Sequence, residues 1–296
     1  MTDADGKARS HYLARMRRAR DHIDSHLDEA LDLDTISAVA SFSPAHFHRQ
    51  FRALFGLTLH RYIQLARFKR AATRLAYGSE SITRIALEAG YETPQAFSRA
   101  FRLRAGQIPS SFRKTPDWAA WETSCTALDV ARSTLMTQHY TLDAVTIREV
   151  AATRIAVMTH QGAPEGLGQT IQRFIAWRRA NGLTPRNSAT YTLFPDDPET
   201  TPPDHYRVGL CVGTDKAISA FDEAIEISSL PAGRCAVLRV TGIIDHLEEA
   251  ASELYRQWLP ESGEETRSFP LYCQRIAFFP EVPEHKSVAE LYLPLK

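Results

Sequence analysis

Two stretches of this chain repeat one another at an offset of about 50 residues, and that repeat restricts the fold more than any other feature. Ile36 and Phe42 recur as Ile85 and Tyr91; Phe47, Arg49, Phe51 and Gly56 recur as Phe97, Arg99, Phe101 and Gly106. Each copy reads as a short helix, a tight turn and a second helix. The second copy's turn, Ala89-Gly90-Tyr91, has a glycine where a positive φ is wanted. The first copy has Ser41 there. Both second helices open on a hydroxyl residue and a proline, Ser43-Pro44 and Thr93-Pro94, which places a cap and a pre-set φ at the helix start. Phe47 and Phe51, like Phe97 and Phe101, lie four apart and share a buried face. Arg49 and Arg99 fall on the other face, beside His48 and Ser98. The pattern predicts two helix-turn-helix units.

Between the copies, Thr58–Tyr77 mixes Leu59, Tyr62, Ile63, Leu65, Phe68 and Leu75 with Arg61, Arg67, Lys69, Arg70 and Arg74. As a helix it would be roughly 30 Å long at about 1.5 Å per residue. One turn of B-DNA is about 34 Å. Such a rod would set two recognition helices into successive major-groove segments. The alternative is an ordinary helical bundle with a basic surface. Charge argues against that alternative. The whole chain is formally neutral, but Met1–Lys114 holds 19 basic and 11 acidic residues and the remainder 16 and 24. Within Ser43–Lys114 the count is 13 against 3. A basic block joined to an acidic one suggests that one half meets a polyanion.

ITRIALEAGYETPQAFSRAFRLRAGQIPSSFRK closely resembles the second half of an AraC/XylS-type DNA-binding domain. SFSPAHFHRQFRALFG and YIQLARFKRAATRL resemble its first half and linking helix, so the likeness covers about Arg15–Lys114. It implies an all-α double helix-turn-helix domain at residues 9–114, binding an asymmetric promoter site on double-stranded DNA, with RNA polymerase as a partner. Carried over by position, the base-edge readers are Ala45, His48 and Arg49 in the first recognition helix, and Gln95, Ser98 and Arg99 in the second. Arginine can grip guanine and glutamine adenine through paired hydrogen bonds. Ala45 can reach only a thymine methyl, and Pro94 can only pack.

Residues 115–138, with Pro116, Trp118 and Trp121, read as a linker of weak periodicity, partly helical, which the tryptophans could dock on either side. A second duplication follows at an offset of about 80. Arg154, Ala156, Val157 and Gly162 recur as Arg234, Ala236, Val237 and Gly242, and Trp177 as Trp258. Each copy reads as a strand, a helix (Leu167–Ala180; Asp245–Trp258, with Asp245 and Glu248 as a capping box) and two strands. Those strands fall at Ala189–Phe194 and Tyr206–Val212, then Leu271–Phe279 and Ser287–Leu293. The expected fold is therefore multidomain: the all-α domain followed by an α+β domain of duplicated β-α-β-β units with antiparallel pairing. A junction between similar halves is a common place for a pocket.

In the last strand, VAELYLPLK, Val288, Glu290 and Tyr292 point one way. Glu290 either faces solvent or serves a pocket, where its natural partner would be a cation. Residues 139–296, through the ELYLPLK ending and the strand–helix spacing, resemble the GyrI-like effector-binding domain. DNA domain first and effector domain second is similar to the Rob-type arrangement. That resemblance implies a small, lipophilic or cationic effector, with Glu290 as the anchor beside Tyr292, Tyr272, Trp258 and Tyr191. The chain departs from the pattern at Gly209, where Glu290 would repeat, and at Pro270, where relatives often hold a second glutamate.

No GxSxG, GxxxxGK, GxGxxG or HExxH occurs, and no paired acid and base stands out, so no enzyme, cofactor or metal is expected. His22 and His26 could hold a metal by spacing, but a solvated charged face explains them as well. Cys125, Cys211, Cys235 and Cys273 form no CxxC pair and read as reduced thiols. The N-terminus lacks an apolar signal core and no run is long enough for a bilayer, which predicts a cytoplasmic protein. The function expected is a sequence-specific, ligand-responsive transcription regulator. The alternatives are a hydrolase, a drug-sequestering module or a protein-docking domain fused to the DNA-binding half.

Overall fold

The computed structural model describes residues 3–134, 140–163, 166–197, 200–216, 218, 222–242, 245–278, 282 and 286–296. The side chains of residues 3–6, 245 and 246 lie outside the description, and with them the expected Asp245–Glu248 capping box. The chain divides into two compact units, Met1–Thr137 and Gln138–Lys296. Among the described residues no helix is long and apolar enough to cross a membrane.

The first unit is all helix: α1 (Asp3–Ser25), α2 (Leu33–Val39), α3 (Pro44–Phe55), α4 (Leu59–Tyr77), α5 (Ile82–Glu88), α6 (Pro94–Ala105), α7 (Pro109–Lys114) and α8 (Trp118–Ser133). The two turns are built alike. Ser41 and Phe42 donate to the carbonyls of Ala38 and Ser37 at 2.8 and 2.9 Å; Gly90 and Tyr91 donate to those of Leu87 and Ala86 at 2.9 and 3.1 Å. Ser41 takes φ 57 against 83 at Gly90, a left-handed conformation that a side chain disfavours. Arg15 of α1 holds it there. Its guanidinium donates to the Ala40 carbonyl at 2.8 Å and to that of Ser41, and stacks 3.5 Å above the Phe42 ring. Thr93 caps α6 by accepting from the Ala96 amide at 3.2 Å. Ser43, exposed at the start of α3, makes no such bond, so the two helices share Pro at N1 but not the side-chain cap.

Each helix-turn-helix unit has its own core. Phe47, Phe51 and Phe55 pack with Ile36, Leu59, Tyr62 and Leu65; Phe97 and Phe101 pack with Ile85, Phe68, Ala72 and Leu75. The two ends of α4 therefore belong to different cores, which makes it the rod that joins them. A second rod runs the opposite way. The early part of α8 (Trp118, Trp121, Cys125) packs on the second core and its later part (Leu128, Ala131) on the first. The segment read as a linker is thus largely a helix lying across both halves of the helical unit. Polar bonds fasten it: Lys69 to Asp129 at 2.7 Å, the Ser124 hydroxyl to the Arg104 carbonyl at 2.6 Å, and Arg132 to Asp24 of α1 at 2.9 Å. Asp24 is fully buried and also accepts from the Tyr62 hydroxyl at 3.2 Å.

The second unit contains β1 (Thr146–Val150), β2 (Thr153–Gln161), α9 (Leu167–Ala180), β3 (Thr190–Phe194), β4 (Arg207–Gly213), β5 (Ile225–Leu230), β6 (Gly233–Thr241), α10 (Asp245–Glu253), α11 (Leu259–Ser262), β7 (Leu271–Ala277) and β8 (Val288–Pro294). The stretch Leu254–Trp258 between α10 and α11 is π-helical. It stands just ahead of Pro260, which lacks the amide proton and crowds the carbonyl four residues back, so the regular ladder cannot continue through it.

Each half has one more strand than the repeat delimits, giving β-β-α-β-β. All eight strands form one antiparallel sheet in the order β1-β6-β8-β7-β3-β4-β2-β5. Exchanging the halves reproduces that order in reverse. The leading strands cross over: β1 pairs with β6 of the other half, and β5 with β2. Alternation then sorts the side chains. Ala156, Met158, Leu210 and Val212 face α9; Ala236, Leu238, Leu291 and Leu293 face α10. The opposite face carries Ile155, Val157, Val237, Tyr191, Tyr272 and Tyr292.

Candidate functional site

On the helical unit, Ala45, His48 and Arg49 of α3 are exposed, as are Gln95 and Arg99 of α6, and Ser98 is half-exposed. These residues follow from the local fold. Once every third or fourth position of each helix is committed to the phenylalanine face, the intervening positions must face outward. Among the described residues, the side chains of His48, Arg49, Gln95, Ser98 and Arg99 make no hydrogen bond or ion pair within the chain. Other basic residues of the block are differently engaged. Arg67 donates to the carbonyls of Leu27 and Glu29 at 2.8 and 2.7 Å, Arg70 reaches Asp28 at 3.4 Å, and Arg74 grips Glu80 and Glu88. The Glu80 and Arg74 partnership holds the Glu80 carboxyl below its ordinary range. The excess charge counted in the sequence is therefore divided. Arg67, Arg70, Arg74 and Lys69 tie the helices together, while Arg49, Arg52, Arg61, Arg99 and Arg102 are exposed.

On the face of the sheet opposite the helices, Glu290 sits among polar partners from four strands. It pairs across the ladder with Arg239 of β6 and Gln274 of β7. Its Oε2 accepts from the Tyr292 hydroxyl at 2.8 Å and from Arg148 Nη1 at 3.3 Å; its Oε1 accepts from Arg148 Nη2 at 3.3 Å and lies 3.6 Å from Arg239 Nη1. Arg148 comes from the edge strand β1 and is steadied by its own Nε, which donates to the Thr146 hydroxyl at 3.1 Å. Burial pushes the Glu290 carboxyl up, but the bonds from Tyr292 and Arg148 and the field of the two arginines outweigh it and hold the group below its ordinary range. Burial, then the hydrogen bond to Glu290 and its charge, push the Tyr292 phenol up.

Tyr292 stacks on Tyr272 with centroids 4.8 Å apart and planes 4° from parallel. Tyr191 and Phe269 meet Tyr272 edge-on at 6.5 and 6.2 Å. The structure thus brings Glu290, Tyr292, Tyr272 and Tyr191 onto one face. Trp258 is not among them. It packs against the core beneath α10, on the helix-covered side, because the π-helical stretch that carries it lies on that side. Arg148, Arg239 and Gln274 complete the cluster and were not singled out from sequence. For Arg148 the signal lay upstream of the repeat. Asp143, Ala144, Val145 and Ile147 match Glu223, Ala224, Ile225 and Ile227 at 80, which extends the duplication to a leading strand.

The two halves differ at this face. The counterparts of Arg148, Arg239, Glu290 and Gln274 are Ser228, Thr159, Gly209 and Leu193. A Cβ at Gly209 would stand 3.0 Å from the Leu193 Cβ and 3.4 Å from a Val157 methyl, so apolar side chains fill the space where a second glutamate would go. Val157 and Val237 repeat there, as do Tyr191 and Tyr272, whereas Tyr292 has Cys211 as its counterpart.

Two other expectations concern metals and thiols. The His22 and His26 rings stack at 4.2 Å, and His26 Nδ1 lies 2.7 Å from the His22 carbonyl. The four cysteines are buried and form no disulfide among the described residues, and burial pushes the Cys211 thiol up to about 12.

A GyrI-like small molecule binding domain matches residues 143–296, more than half of the chain. The chain belongs to that family. A helix-turn-helix domain matches residues 36–115 of this GyrI-like protein. "Probable transcriptional regulator YgiV" of Escherichia coli K12 is 33% identical over 158 residues, 53% of this chain and 98% of that protein. The "Right origin-binding protein" of the same strain is 33% identical over 99 residues, 33% of this chain and 34% of that one. The crystal structure of the EcmrR C-terminal domain aligns over 53% of this chain and 98% of its own, at 16% identity and a TM-score of 0.44. An AraC-type helix-turn-helix half and a GyrI-like small-molecule-binding half make this GyrI-like chain a DNA-binding transcription regulator.

Proposed function

We propose that the chain reads one asymmetric promoter site with both recognition helices and is tuned by a small effector held on the tyrosine face. The observation that carries this is the pairing of two matched helices, each presenting side chains with no partner among the described residues. Ala45, His48 and Arg49 read one segment, and Gln95, Ser98 and Arg99 the next. Two reading heads on one chain suit a site without internal symmetry. Because α8 lies across both cores, it acts with the DNA-binding part. RNA polymerase at the same promoter is the protein partner, and the cytoplasm the place of action. An effector regulates only by binding the DNA-competent and incompetent forms differently, typically by about 1–3 kcal/mol. Catalysis is not part of this reading. Glu290 is held ionised by arginines, and Pro270 stands where a second carboxylate would be needed.

Selection of bound sequences from a random DNA pool, followed by footprinting, tests the proposal. Two unlike segments about one helical turn apart are expected, with Arg49→Ala relaxing one and Arg99→Ala the other. A single protected segment, or equal loss on every sequence in both variants, would remove the base-reading assignment.

A further inference from the structure

The chemistry around Glu290 says more about the effector than the presence of a carboxylate does. Both of its oxygens are already occupied, by the Tyr292 hydroxyl and two guanidiniums. The side chain is 12% exposed, whereas Arg148 and Arg239 are 45% and 58% exposed. What this cluster turns toward solvent is therefore positive: two guanidiniums against one inward-held carboxylate. A ligand cation would have to displace an arginine from Glu290 and would meet like charge on approach. Arg148 uses Nε and one bond from each terminal nitrogen, and Arg239 reaches Glu290 through Nη1, which leaves N–H donors on both. A planar fork of such donors matches carboxylate, sulfonate or phosphate oxygens. The other half of the face has no charge at the equivalent places, only Ser228, Thr159, Gly209 and Leu193. A charged group on a ligand therefore has one end of the face to go to, and beside it lies an aromatic cluster in which Tyr191 is half-buried and the stacked Tyr272 and Tyr292 are buried.

We propose that the effector is a lipophilic organic acid, its anionic group gripped by the exposed Arg148 and Arg239 and its apolar body entering beside half-buried Tyr191, against the buried stack of Tyr272 and Tyr292. Glu290 then serves as the internal counter-ion that aligns the two guanidiniums, rather than as the ligand's partner. This rests on the reading of the tyrosine face as the effector site. The test uses full-length protein and two near-isosteric probes, 2-naphthoate and 2-naphthylmethylammonium, titrated by calorimetry. The acid is expected to bind about tenfold or more tighter than the amine. Arg148→Met with Arg239→Met should cost the acid about tenfold and favour the amine. Arg239→Met alone, at an exposed side chain, gives the same direction if the double variant does not fold. Tighter binding of the amine, abolished by Glu290→Gln, would overturn the charge assignment and leave the effector site standing. Binding of neither probe up to millimolar concentration, or binding of both unchanged by Tyr272→Ala, would overturn the effector-site reading itself.

Discussion

Replacing Arg132 by methionine isolates one of the polar bonds that fasten α8 to the rest of the helical unit, the one to α1. Arg132 is 9% exposed and its partner Asp24 fully buried, with 2.9 Å between them. Removing one member of a buried pair leaves the other charge uncompensated, at about 3–5 kcal/mol. Here the lower end applies, since the Tyr62 hydroxyl still donates to Asp24 at 3.2 Å. The methionine keeps most of the volume, so little of the loss is packing. About 3 kcal/mol corresponds to a fall of about 10 °C in melting temperature for a unit of this size. Adding Asp24→Asn removes the stranded charge and should recover most of the loss. Urea unfolding followed by far-UV circular dichroism at 222 nm reports the helical unit directly. A loss below about 0.5 kcal/mol in Arg132→Met, or a double variant no better than the single one, would refute the claim that this ion pair secures α8.

Four further outcomes can be measured. Arg99→Ala should cost about 1–3 kcal/mol on the preferred site and flatten choice at one base position, read by competition binding. With the exposed arginines meeting the duplex as proposed, log affinity should fall linearly with log salt concentration, and each phosphate-contacting arginine removed should lower the slope by about 1. Ser41→Gly should stabilise the helical unit by about 0.5–1 kcal/mol by relieving φ 57, whereas Gly90→Ala should destabilise it, since its Cβ would meet the Arg67 guanidinium at φ 83. The Glu290 carboxyl is held below its ordinary value, so its contribution to stability is present at neutral pH and lost as pH falls through the folded-state value. The stability difference between the parent and Glu290→Gln should accordingly narrow on acidification below about pH 4.

How far the chain could be read in advance depended on whether a signal was local. The helix-turn-helix units were legible because caps, prolines, glycines and the Phe-x3-Phe spacing act within one or two turns of chain. Helix α9 was delimited to the residue, from Leu167 to Ala180. Strand β1 escaped because four of its five residues are exposed and its partner β6 lies some 90 residues away in sequence. No alternation of buried and exposed positions marks it. Arg148 went unnoticed for the same reason, although it touches Glu290. Trp258 shows the opposite error. Its match to Trp177 correctly located an element, but a repeat in sequence says nothing about which face of a sheet that element covers. The charge count pointed to the DNA-binding half but could not divide its residues, because a lysine or arginine bonded to a neighbouring helix is indistinguishable in sequence from one turned toward solvent.

The crossing of β1 and β5 bears on what the duplicated half can be. Each half lends its first strand to the other, so neither holds its own β-sheet edge closed without its sibling. Two copies of a single ancestral unit, associating as a symmetric dimer, would generate the same eight strands in the same palindromic sequence. Such a dimer would be obliged to carry identical residues at both ends of the sheet face opposite the helices. A single chain is free of that obligation, and its two ends differ: a glutamate with two arginines at one end, glycine and leucine at the other, with Tyr191 and Tyr272 on the two central strands between them.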